Sequence, residues 1–296
     1  MQAIHKCFLI GAAFAFALPA QAVEYNNLPT EPLSSYLAIG VGFDFGGAGT
    51  DDALPVPYNE GFGFGSFHFS GTGDYFMPAL FGLTGYAKYG TTIASFVNED
   101  TAIPDDKFDA AWRAEVGGYF FISDEEAGGT ASIPLASESW GDSRVTFTRT
   151  TSLPGTKAHY RTMVAVRGGL FLEQNTLSYA PTNPNIIVNS SFSGTYVGIG
   201  WIEALSAAVE ITEGQYMGSY SRDEVEQYYA DFILGSVSQD IIYPGMPELV
   251  STGWRIGYKS ADVSGNTAST FEIGAKPGLP DNYYLNLELQ IAFSLD

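Results

Sequence analysis

The chain is poor in the residues on which most secreted or catalytic scaffolds depend. It has one cysteine, Cys7, three histidines, and only 13 Lys and Arg among 296 residues. Residues 1–22 combine a short positive start, an apolar core at 7–18 and the small-x-small site Ala20-Gln21-Ala22 ahead of Val23, the pattern of a secretory signal peptide. Cys7 opens that apolar core instead of following it, so it is not a lipidation site and is expected to leave with the leader. The remainder, expected to form one domain over residues 23–296, then has no thiol. That excludes a disulfide framework, a thiolate metal centre and a cysteine nucleophile. Against the few basic residues stand 33 Asp and Glu, a formal net charge of −20, which excludes nucleic acid as a partner. After Val23 there is no run of about 20 apolar residues, so a helical membrane span is excluded too.

What is present is alternation. Tyr283, Leu285, Leu287, Leu289, Ile291, Phe293 and Leu295 alternate with mostly polar or small residues up to Asp296. Side chains of a strand point to opposite faces with period two, so this segment needs an apolar medium on one side and polar groups on the other. Ordinary strands run to about 5 or 6 residues. A tilted strand crossing a bilayer needs about 9 to 11, which suits this run better. Residues 34–45 repeat the pattern with Leu37, Ile39, Val41, Phe43 and Phe45 on one face and Gly40, Gly42 and Asp44 on the other. Residues 108–122, 160–172 and 252–259 do likewise.

Turn chemistry separates these runs. Residues 153–156, Glu203-Ala204, 264–266 and 277–282 read as short hairpin breaks, while 46–59, 123–142, 174–191 and roughly 219–248 read as long acidic or proline-bearing loops. Short turns alternating with long loops is the asymmetry of an outer-membrane barrel. The expected fold is therefore all-β: an antiparallel up-and-down transmembrane β-barrel of about 12 strands, with 10 or 14 as alternatives, in contact with outer-membrane lipid and lipopolysaccharide. Residues 77–97 read as one long strand or two, and residues 226–237 as a strand or a helical turn.

The period places Arg113, Glu115, His159, Arg161, Arg167, Glu173, Arg255 and Lys259 on the inner face. They either pair with one another to fill a narrow interior or line a water-filled pore for small solutes or ions. A barrel hydrolase is a further reading: Phe67-His68-Phe69-Ser70 resembles the histidine-x-serine order of outer-membrane phospholipases, although Gly71-Thr72 follows where asparagine and glycine belong. No catalytic residue is assigned on this basis. The pairs Asp51-Asp52 and Asp105-Asp106 lack the spacing of a dedicated calcium loop, so no metal and no cofactor are expected.

The run 38–43, then Gly49-Thr50-Asp51-Asp52, then Leu54-Pro55-Val56-Pro57-Tyr58, resembles the opening of the MipA/OmpV outer-membrane proteins. Tyr216-Met217-Gly218-Ser219-Tyr220 with Asp223-Glu224-Val225-Glu226 downstream is similar to that family's tyrosine-rich outer loop with its downstream acidic segment. Gly46-Gly47-Ala48 stands where the family has aromatic and acidic residues, and the chain ends in Leu295-Asp296 where many barrels end in an aromatic residue. The resemblance implies a twelve-stranded barrel without catalysis at the cell outer membrane, with a structural or scaffolding role that includes contact with a murein-processing enzyme.

Overall fold

The computed structural model describes residues 24–30, 35–48, 62–77, 80–97, 102–103, 110–141, 146–178, 187–212, 215–239, 249–278 and 282–295. The leader, the Asp51-Asp52 and Asp105-Asp106 pairs and the whole of the Gly49 to Tyr58 motif lie outside them. The strands are β1 (Tyr25–Asn27), β2 (Tyr36–Ala48), β3 (Phe62–Phe76), β4 (Phe81–Val97), β5 (Ala102–Ile103), β6 (Ala110–Gly141), β7 (Thr146–Ser178), β8 (Ile187–Ile211), β9 (Gly218–Gln239), β10 (Thr252–Asp262), β11 (Thr267–Ala275) and β12 (Asn282–Ser294).

Among the described residues ten strands close one antiparallel barrel, in the order β2, β3, β4, β6, β7, β8, β9, β10, β11, β12 and back to β2. β1 lies outside the ring beside β8, and β5 beside β4. The alternating C-terminal run is the closing strand: β12 pairs with β2 from Asn282 opposite Ala48 to Ser294 opposite Tyr36. A cross-strand path that leaves β6 at Ser123 and passes Val164, Trp201, Tyr228, Tyr258, Phe271, Leu287, Phe43, Phe67 and Thr91 returns to β6 at Ala110, thirteen positions earlier. One of those positions is the bulge at Phe121/Ser123. A stagger of this size tilts strands by about 40° and leaves a bore that side chains can fill.

The outer face is apolar where the alternation demanded it. Leu289, Phe69, Ile199 and Val116 are between 62% and 74% exposed, an arrangement that makes sense only against an apolar medium. On the inner face large and small residues alternate from strand to strand. Around one level run Arg167, Gly198, Asp231, Arg255, Gly274 and Tyr284. A side chain at Gly198 would collide with Asp231, and one at Gly257 with the ring of Tyr229.

Among the described residues the barrel has ten strands because several segments that read as two strands are one. Residues 153–156 are not a hairpin turn: Gly155 adopts φ 73° inside β7, opposite the bulges at Ala131/Ile133 and Pro134/Ala136. Glu203-Ala204 lies within β8, and most of the expected loop at 123–142 and much of that at 219–248 are strand. Residues 226–237 belong to β9, and in the 77–97 region a single strand, β4, runs from Phe81 to Val97. The acidic residues there misled because polar alternation outside an apolar belt carries no hydrophobic contrast.

β6 pairs with β4 only as far as Phe120, and β7 with β8 only from His159. Beyond those points the two strands continue as a two-stranded arm. It packs Ala131, Ile133, Leu153 and Ala158 against Ala207 and Val209 of β8. β1 occupies the place beside β8 that β7 vacates. The arm leaves from the end carrying the connections 77–80, 142–145, 212–217 and 263–266. The opposite end carries 49–61, 98–109, 179–186, 240–251 and 276–281, longer in most cases.

Candidate functional site in the barrel lumen

The lumen is layered. At the short-turn end Tyr36, Phe76, Phe121, Met163, Ile202 and Val225 project inward and meet as an apolar floor. Towards the long-loop end Phe171, Phe192, Tyr196 and Ile233 form a smaller apolar cluster. Between them lies a charged layer in which Asp44, Asp74, Glu115, Glu173, Asp231, Glu272 and Glu288 face Lys88, Arg113, Arg167, Arg255, Lys259 and Lys276, with His68 among them.

Glu272 is the hub. It accepts from Arg113 Nη1 at 2.9 Å, Tyr229 OH at 2.8 Å and Tyr284 OH at 2.7 Å, and lies 3.3 Å from Arg255 Nη1. Arg255 also donates to Asp231 at 2.6 Å and to Glu115 at 2.8 Å, and Glu115 accepts from Arg113. Arg167 Nε lies 3.0 Å from Asp231 Oδ1 without the alignment of a hydrogen bond, and its guanidinium sits 3.9 Å over the ring of Tyr229. Lys276 reaches Glu173 at 2.6 Å. Across the seam between the first and last barrel strands, Glu288 lies 3.2 Å from His68 Nε2 and accepts from Tyr86 OH at 2.5 Å, while Gln290 donates to Ser70 at 2.9 Å. Lys88 meets Asp44 at 2.5 Å and Lys259 meets Asp74 at 3.8 Å. A buried charge is tolerated when it is paired and hydrogen-bonded, and here neighbouring strands supply both.

Six of the eight residues placed inside by the alternation, Arg113, Glu115, Arg167, Glu173, Arg255 and Lys259, belong to this layer. Arg161 and His159 share the inner register of β7 but lie past Met163, beyond the floor and at the root of the arm. Arg161 there binds Asp124 in two-point fashion at 2.7 and 2.6 Å. Those bonds hold the Asp124 carboxyl below its ordinary value of 3.8. His159 is half-buried and joins no ion pair among the described residues. Glu272, Lys88, Asp74 and Lys276 are lumen charges that the inner-face assignment omitted. The signal for Glu272 was available, since it stands between the outward Phe271 and Ile273.

His68 is 2% exposed and faces the lumen between Asp44 and Glu288, away from the outer rim that a lipid hydrolase requires. Ser70 Oγ is engaged by Gln290, and it makes no nucleophile–base contact with His68. Two small cavities lie inside among the described residues. One of 20 Å³ lies against Arg113, Arg167, Tyr229 and Arg255, and one of 10 Å³ against Glu173, Lys276 and Tyr284. The larger holds about one water.

No protein-family model and no curated protein matches the chain. Solved structures similar to it include a TodX monoaromatic hydrocarbon channel deltaS2 mutant (7% identity, TM-score 0.27, 89% of this chain and 90% of that one). Others are the low-pH structure of Pseudomonas putida OprB (8%, 0.22, 88% and 93%) and Pseudomonas aeruginosa OccK2 in complex with glucuronate (8%, 0.18, 89% and 97%).

Proposed function

We propose that the chain is a non-enzymatic outer-membrane barrel of MipA/OmpV type that acts as a structural or interaction protein of the cell envelope, its short-turn end facing the periplasm. The apolar outer belt supports the membrane location, with lipid and lipopolysaccharide around it. The observation that carries the reading is the filled lumen: among the described residues an apolar floor and a paired charge layer, with cavities of 20 and 10 Å³ between their side chains, suit a pillar better than a conduit. A barrel interior of this kind presents its chemistry at its ends, where partners such as a murein-processing enzyme would meet it. The sealed setting of His68 gives hydrolysis no support.

Single-channel recording of the refolded protein in planar bilayers tests this. The expected result is no conductance above leak. Sustained, voltage-stable current steps would overturn the sealed reading in favour of a channel for small solutes or ions.

A further inference from the structure

We propose that the free edge of the arm at residues 123–129 is a docking strand for an extended, basic peptide segment of a partner protein. This rests on the interaction reading above and names the surface that would serve it.

The edge follows from the pairing. Phe121 N donates to Leu80 O, and from there to the end of β6 no strand among the described residues lies on that side. Alternate residues of β6 therefore direct N–H and C=O groups away from β7, the template on which an added strand pairs. From Ser123 to Ala131 the β6–β7 register is unbroken, so the template is straight. The devices that normally protect an edge stand just beyond it: bulges at Ala131/Ile133 and Pro134/Ala136, and Pro134 itself. The carbonyls of Thr130 and Ser132 are likewise taken, by Tyr160 OH at 2.9 Å and Arg222 Nη1 at 3.2 Å. Those two bonds also hold the arm in place, so the open stretch is presented on a fixed support.

The chemistry of the stretch selects the occupant. Residues 124–128 are exposed on both faces and open with Asp124-Glu125-Glu126. Arg161 engages Asp124 and lies 3.9 Å from Glu126, while Glu125 has no ion pair among the described residues. Like charges placed opposite each other destabilise a strand pair, so a second copy of this edge is disfavoured. A strand with lysine or arginine at alternate positions matches it, with Gly128, where an added side chain would meet nothing, leaving the backbone open to close approach.

The test uses the full chain refolded in detergent micelles and a labelled peptide of alternating lysine and valine, with binding followed by fluorescence anisotropy. Saturable binding is expected, weakened about tenfold or more by the double variant Glu125→Lys/Glu126→Lys and by N-methylation of alternate peptide amides, which keeps the charge and removes the donors. Heat-modifiable gel migration checks that the variant is folded. Equal binding of the N-methylated peptide, or no binding to the parent protein, would overturn the proposal. Recovery of the same envelope partner by parent and double variant alike would overturn the docking strand while leaving the interaction reading standing.

Discussion

β6 and β7 live in two environments, and the contrast between them separates what makes this barrel from what it offers to others. Inside the ring each strand has neighbours on both edges, and its inward side chains are met from several sides, as Arg113 is by Glu115 and by Glu272 of β11. In the arm the same strands keep one partner. Their apolar contribution shrinks to a cluster around Ile133, and residues 124–128 are exposed throughout. Local stability follows the number of buried partners. The ring is built to hold one state, and the arm is free to engage another molecule.

The largest effect that can break this contrast lies in the ring. Glu272→Ala leaves two arginines and two tyrosines without their shared acceptor, and a loss of about 3–5 kcal/mol in unfolding free energy is expected. Denaturant unfolding in lipid, followed by tryptophan fluorescence, measures it; a change below about 1 kcal/mol would place the hub outside the stabilising set. Gly257→Val comes next. The added side chain meets the Tyr229 ring and should cost about 1–3 kcal/mol, read as a shifted midpoint in the same assay.

In the arm, Ile133→Ala should act locally. It is fully buried, so the arm should be cleaved several-fold faster by protease and exchange amides faster, while the gel migration of the ring stays as it is. If the ring melted with it, the two regions would be one cooperative unit. The smallest effect is pH. The carboxyl of Asp124 is held below its ordinary 3.8 by Arg161, so it contributes stability above that value and loses it as pH falls through its lowered one. Arm proteolysis by pepsin should therefore rise more between pH 4 and pH 2 in the parent than in Arg161→Ala, by a small factor because the pair is partly open to solvent.

Period two carried most of what could be read in advance. It placed Arg255 and Lys259 inside and Trp254 and Ile256 outside, and it marked the run from Tyr283 as one long strand with an apolar face, because a medium on each face leaves its mark on every residue. Strand ends were less legible. Leu153-Pro154-Gly155-Thr156 has turn chemistry, yet in β7 it shapes a bend within a long strand, and only the facing bulges on β6 reveal that. The β6 half of the arm, residues 123–141, reads as a loop in the sequence because its acids carry no hydrophobic contrast. The partners of each lumen charge were not readable either. Arg113 and Glu272 are 159 residues apart, and the stagger of the barrel alone brings them together.

The seam between β2 and β12 has a consequence for assembly. The ring closes only when the first and last of its strands meet, and a sheet edge sliding past another has many near-equivalent stopping points. A slip of one residue is barred because it would turn the greasy face inward. A slip of two is not barred that way, since it preserves both faces. It would, however, set Asn286 or Gln290 in the place of Glu288 and strip His68 and Tyr86 of their carboxylate. The interior charges thus act as a keyed latch: they recognise one stopping point among the even ones, and a barrel lacking Glu288 should close into a mixture of registers.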